Sequence, residues 1–350
     1  MIWHKEHLLR TLFRRCGTFS ILICATVLSL PIFLILSPWA IWKDRLQKHQ
    51  RPYPSAYFRS ISMIVVWLWM ETSVVLIALI LTPSRLLSHR KFIEIHRALQ
   101  AWWTRSLVAA IQYLFNLNVE VTGRDAPRCK PGIMLVRHSS LLDTLLPALL
   151  LSDSGIGFRY VLKHALLLDP CLDLVGCRLP NTFVQRHGDT QNELAAIQHL
   201  ARTTPHTETV VIYPEGTRYT ADRRLELLQK LRMKESQRLP IAESLRHTLP
   251  PRSGGTLALL EHLDSRPVVV MAHVGLEEAT HVTDIFRGNL VGRKIAIRMW
   301  IIRPDDIPHN PTARREWLDS WWLCVDEWIE QHLPSSHSKP SPSSPPMAAQ

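Results

Sequence analysis

The chain has 350 residues, 46% of them hydrophobic, and a formal net charge of +11. Residues 1–110 hold 14 Lys/Arg against 4 Asp/Glu, whereas residues 111–350 hold 27 against 26. The cations therefore flank the most apolar stretches, as in a protein drawn to anionic headgroups, and no basic stripe with interleaved aromatics is left to bind nucleic acid.

Between Arg15 and Lys43 run 27 residues without one Asp, Glu, Lys or Arg. As a helix this run would extend about 40 Å, enough to span a bilayer. It is too long for a signal peptide, and Trp39, Ile41 and Trp42 follow where a small-residue cleavage site would stand. With Lys43 and Arg45 these residues read as an interfacial anchor. Residues 60–84 carry a single charge, Glu71, which is expected to face protein or a headgroup defect. Basic residues at the outer ends of both segments favour a cytoplasmic face, and so an inner-membrane protein with its main domain in the cytoplasm. The connector is also basic (Lys43, Arg45, Lys48, Arg51, Arg59), which leaves open a re-entrant or interfacial segment. Residues 1–91 thus read as membrane-embedded helices. Residues 92–118 read as an amphipathic helix, with Trp102, Trp103, Tyr113 and Phe115, that rests the next domain on the membrane surface.

From 119 to 333, alternating strand and helix patterns predict an α/β domain: a mixed central sheet flanked by helices, with its site at strand ends. Residues 132–136 form a buried strand by their apolar run. It ends in Arg-His-Ser-Ser-Leu-Leu-Asp-Thr, residues 137–144. His138 then stands where a strand stops and a helix begins, with Ser139 or Ser140 as the helix cap. With His138 in the turn and Asp143 in the first helical turn, Asp143 could hold one ring nitrogen. The other would be free to take a proton from a hydroxyl. The spacing alone is weak evidence, because His164 and Asp169 repeat it.

The second motif follows a β-branched strand at 210–213 and reads Pro-Glu-Gly-Thr-Arg, residues 214–218. Pro214 ends the strand and Gly216 permits a tight turn. The turn displays a carboxylate (Glu215), a hydroxyl (Thr217) and a guanidinium (Arg218) shaped to clamp a phosphate through two parallel hydrogen bonds. A surface turn with an ordinary ion pair would give the same five residues.

Together the two blocks resemble the glycerolipid acyltransferase family, that of the 1-acylglycerol-3-phosphate acyltransferases, whose first and third blocks read N-H-x4-D and F-P-E-G-T-R. Their order and separation select His138 over His164. Lys163 and the run through Thr182-Phe-Val-Gln-Arg186 resemble the second block, whose lysine and arginine help hold glycerol phosphate. Residues 267–274 resemble the apolar fourth block, a strand on the acyl-chain side. Residues 247–255 (His-Thr-Leu-Pro-Pro-Arg-Ser-Gly-Gly) are similar to members acting on lysophosphatidate or lysophospholipids. The resemblance runs from about 119 to 304 and departs at Arg137 for Asn, Gln185 for Asp and Tyr213 for Phe. These departures leave the chemistry in place and open the acceptor headgroup; Arg137 reads as an added anion contact or a solvent-facing residue.

The resemblance implies transfer of a fatty acyl group from acyl-CoA or acyl carrier protein to lysophosphatidate in a phospholipid membrane, with no metal and no cofactor. His138 and Asp143 would be catalytic. Lys163, Arg186, Glu215, Gly216, Thr217 and Arg218 would form the substrate site, Glu215 and Thr217 by ordering the loop. Three alternatives stand beside it. One is a different acceptor, another lysophospholipid or, after it, a non-glycerol acyl acceptor. A hydrolase using Ser139 or Ser140 lacks the G-x-S-x-G elbow. A silent lipid-binding protein would be expected to lack His138 or Asp143. The six cysteines show neither a CxxC pair nor a zinc spacing and read as reduced thiols. Trp317, Trp321, Trp322 and Trp328 suit a packed terminal helix, and residues 334–350 read as a disordered Pro/Ser tail.

Overall fold

The computed structural model describes residues 5–46, 55–185, 190–234, 237–277, 279–280 and 282–333, so the expected Pro/Ser tail lies outside it. Two long helices come first, α1 (Lys5–Leu46) and α2 (Ala56–Ile80), both long and apolar enough to cross a membrane. They run antiparallel. Asp44 near the end of α1 accepts the N–H groups of Tyr57 and Phe58 at the start of α2, while Thr26 meets Thr72 at 2.6 Å further along. Glu71 is buried against protein beside Cys171, as a carboxyl in so apolar a helix must be.

Helix α3 (His89–Phe115) leads into the sheet domain. Ser88 caps it by accepting from Lys91 N at 3.2 Å, and Asn116 ends it in the left-handed region. Its stripe of Phe92, Leu99, Leu107, Ile111 and Phe115 is buried. The sheet and α2 take this face, which the sequence had assigned to the membrane surface; Trp102 and Tyr113 stay exposed on the outer side.

The chain then runs β1 (Asn118–Thr122), β2 (Ile133–Val136), α4 (Leu145–Asp153), β3 (Gly157–Lys163), β4 (Thr182–Val184), α5 (Thr190–Arg202) and β5 (Glu208–Ile212). There follow α6 (Ala221–Met233), α7 (Leu239–Ser244), α8 (Ser253–Leu263), β6 (Val268–Val274), α9 (Val282–Phe286), β7 (Lys294–Ile302) and α10 (Pro311–His332). The strands form one mixed sheet in the order β1-β7-β6-β2-β5-β3-β4, antiparallel only between β6 and β7.

β2 lies in the middle, and its alternation sorts the two faces of the core. Ile133 and Leu135 pack with residues of α5, α8 and α10; Met134 and Val136 pack with α3 and α4. All four are fully buried, each contributing about 1.5–3 kcal/mol by leaving water. Trp322 and Trp328 of α10 close the first face, so the terminal tryptophans serve packing.

α2 does not stand clear of this domain. Arg59 donates to Leu114 O, Ser60 to Ile285 O at 3.0 Å, and Arg178 to Ala78 O, so contacts run almost the full length of the helix. At the start of α1, Arg14 and Arg15 converge on buried Asp173 at 2.9 and 3.1 Å, which takes up two cations the sequence offered to headgroups. The outer side of α1 exposes Ile21, Val27, Leu34 and Ile35.

Candidate active site

β2, β3, β5 and β6 point the same way, so their carboxyl ends share one edge of the sheet, where ligand crevices of α/β sheets form. His138 lies two residues past β2. The turn 214–218 follows β5, Lys163 ends β3, and His273 lies at the end of β6.

His138 Nδ1 is 3.0 and 3.2 Å from the two carboxylate oxygens of Asp143. Asp143 lies in the turn before α4 and not in its first helical turn, because the helix begins only at Leu145. Ser139 and Ser140 do not cap that helix. Their N–H groups donate to Asp143 Oδ2 at 2.7 and 2.8 Å, and the Ser140 hydroxyl donates to Ala279 O at 2.9 Å. A short polar side chain that accepts the N–H groups just before it offers the backbone an alternative to helix.

Burial alone would raise the Asp143 pKa. Hydrogen bonds from His138 and His273 and their positive potential outweigh it and hold the carboxyl well below the usual range. An ionised Asp143 accepts only, so the His138 proton sits on Nδ1. Nε2 has no hydrogen-bond partner among the described residues, and the ring keeps 16% of its side chain exposed. Tyr213 packs against it with the rings tilted by 47° and their centres 4.7 Å apart.

The Pro-Glu-Gly-Thr-Arg turn reaches the histidine through Glu215. One carboxylate oxygen accepts His138 N–H at 2.9 Å and the other accepts Leu249 N–H at 2.9 Å. Burial pushes Glu215 up to about 8, against the two N–H bonds that pull it down. Gly216 has φ +67°, the left-handed region that favours glycine, and a Cβ there would also crowd the Arg252 side chain at 3.2 Å. Arg218 donates one Nη1 hydrogen to Thr280 O, and its remaining donors have no partner among the described residues. Thr217 is half-buried in the same turn. Lys163, also half-buried, lies three residues past the Tyr160–Val211 pair, on the same edge. Arg186 lies outside the described residues.

His164 is exposed, and Asp169 accepts from Leu172 N at 2.9 Å, so the second His/Asp spacing forms a local turn. Arg137 neither faces solvent nor offers itself to an anion. It is 1% exposed and donates to His273 O at 2.5 Å, Glu277 Oε1 at 2.6 Å and His247 O at 3.1 Å. A residue missed by the sequence reading is His273, whose Nε2 is 3.5 Å from Asp143 Oδ2. Its signal was a lone histidine inside the otherwise apolar run 267–274.

A family model described as Acyltransferase matches residues 118–274, which hold His138, Asp143, Lys163 and the turn 214–218. Among solved structures, the fold is similar to the crystal structure of the 1-acyl-sn-glycerophosphate (LPA) acyltransferase PlsC from Thermotoga maritima. That likeness has 12% sequence identity and a TM-score of 0.50, and covers 79% of this chain and 97% of that one. A comparison with curated proteins finds no match. Residues 118–274 are thus similar to the Acyltransferase family model, and the mixed sheet is similar in fold to that of the Thermotoga maritima structure.

Proposed function

We propose that the protein is a membrane-bound O-acyltransferase that moves a fatty acyl group from acyl-CoA or acyl carrier protein to the free hydroxyl of 1-acylglycerol-3-phosphate, giving phosphatidate. The observation that carries this reading is His138: its Nδ1 is engaged by Asp143 while its Nε2 has no partner among the described residues, and its carbonyl accepts the N–H of Tyr219, the residue next to Arg218.

In the proposed reaction the acceptor hydroxyl gives its proton to His138 Nε2 as its oxygen attacks the thioester carbonyl. Asp143 stabilises the imidazolium that forms. The tetrahedral intermediate expels the thiolate, a good leaving group because thiol pKa values lie near about 8.5, and the proton on Nε2 returns to it. No covalent acyl-enzyme is needed. Arg218 and Lys163, with Arg186, are proposed to hold the acceptor phosphate, while Glu215, Gly216 and Thr217 shape the turn. The activity by which the Thermotoga maritima protein is named supports lysophosphatidate as first choice of acceptor.

The exposed apolar side of α1 is proposed to enter the lipid, bringing the sheet edge to the lysolipid. The charge distribution of residues 1–110 supports a cytoplasmic face at the inner membrane.

The test uses full-length protein in nanodiscs, labelled acyl-CoA and acyl carrier protein donors, and a panel of lysolipids, with His138→Ala and His164→Ala beside wild type. Phosphatidate made by wild type and His164→Ala but not by His138→Ala is the expected result. Transfer to a different lysolipid moves the headgroup. Free fatty acid without transfer points to a hydrolase, and the absence of any turnover overturns the proposal.

A further inference from the structure

The carboxylate of Asp143 serves two histidines. His138 approaches from the open side, and His273 approaches from β6, fully buried, with Nε2 3.3 Å from Arg137 O and 3.5 Å from Asp143 Oδ2. A carbonyl and an ionised carboxylate can only accept, so the hydrogen of His273 sits on Nε2, bonded to Arg137 O with Asp143 Oδ2 within ion-pair range. Nδ1 has no partner among the described residues.

The groups around this ring come from every neighbouring element. Asp143, and His138 beyond it, belong to the segment after β2; Ile297 pairs with His273 from β7. Arg137 donates to His273 O, and Glu277 pairs with Arg137 in turn. A residue present only to fill space at this position would be apolar, like Val268, Val269, Val270, Met271 and Ala272 before it. A histidine leaves one ring nitrogen buried without a partner, a cost that an apolar side chain avoids.

We propose, on the acyl-transfer reading above, that His273 is a positioning residue for the reaction. Its Nε2–H holds the Oδ2 edge of Asp143 together with the N–H groups of Ser139 and Ser140. That keeps Oδ1 aimed at His138 Nδ1–H, and so keeps His138 Nε2 as the base. The same donor tempers the negative charge that His138 feels. Without it the carboxylate draws more strongly on the imidazolium.

The decisive comparison is His273→Gln with His273→Asn in the full-length protein in nanodiscs. Glutamine can place an amide N–H where Nε2 was; asparagine reaches only to the position of Nδ1. His273→Asn is expected to lower kcat by about 10- to 100-fold with KM for both substrates unchanged, and to move the acid limb of the kcat/KM profile to higher pH. His273→Gln is expected to stay close to wild type in both. The 15N signals of His138, followed through a pH titration, should show Nδ1–H held in wild type and His273→Gln and a tautomer mixture in His273→Asn. Equal kcat, acid limb and His138 signals in the two variants would overturn the proposal, as would a loss of activity that only follows the yield of folded protein. If wild type acylates no lysolipid, the functional reading fails, while the His138 titration still decides the role of His273.

Discussion

Glu215 Oε1 accepts the backbone N–H of His138 at 2.9 Å, so the carboxylate of one sequence block sets the position of the histidine of the other. Its second oxygen holds Leu249 N–H at 2.9 Å, which ties both to the loop before α8. Glu215→Gln turns one acceptor into a donor facing an N–H group. The expected loss is about 1–3 kcal/mol of stability for the bond that cannot re-form, with a fall in kcat because His138 is no longer fixed. Thermal unfolding and turnover of the variant measure the two effects. Wild-type values for both would mean that Glu215 does not order the site.

Arg137 makes the opposite case to the family pattern. Arg137→Asn restores the usual residue of the first block, yet here it removes the partner of Glu277 and of the His247 and His273 carbonyls. The carboxyl of Glu277 feels burial, which raises its pKa, and Arg137, which lowers it; the arginine prevails. Breaking a buried pair from one side costs about 3–5 kcal/mol, and the partial exposure of Glu277 puts this one at the lower end of that range. Chemical denaturation of Arg137→Asn should show the loss, and Arg137→Asn with Glu277→Gln should recover part of it. A single variant as stable as wild type would show that the pair is idle.

Acid sensitivity follows from Asp143. Its pKa is depressed in the folded protein, so the stability it contributes is present above its unfolded value of about 4 and is lost as pH falls below that. Asp143→Asn should be less stable than wild type at pH 7, because Ser139 and Ser140 lose a charged acceptor, and the gap should close as pH drops below about 4. Denaturation midpoints measured from pH 3 to pH 7 test this. A gap that stays constant with pH would mean that Asp143 is not ionised by its surroundings.

Much of this arrangement was readable from residue order. The apolar run 132–136 gave the central strand, and Pro214 with Gly216 gave the turn, because strand burial and positive φ are local demands. The two blocks could be put at one site only through a resemblance, since which strands lie side by side depends on pairings far apart in the chain. Two matters could not be read locally. The guanidinium of Arg137 turns inward because Glu277, 140 residues on, is there to receive it. α3 buries its apolar stripe against the sheet because a stripe of that kind fits a protein core and a lipid surface equally well.

Arg218 gives the sharpest test of substrate class. It spends one hydrogen on Thr280 O, and its other donors have no partner among the described residues, so its removal leaves no buried carboxylate behind. Arg218→Ala should therefore fold normally. On the proposed reading it should raise KM for a phosphorylated acceptor by about 10- to 100-fold, the loss of 1.5–3 kcal/mol that a charged hydrogen bond supplies, with a smaller change in kcat. KM for the thioester donor should stay at its wild-type value. Steady-state kinetics with each substrate varied in turn separate the cases. A rise in KM for the donor alone would move Arg218 to the acyl-CoA phosphates, and a fall in kcat alone would place it at the reacting carbonyl.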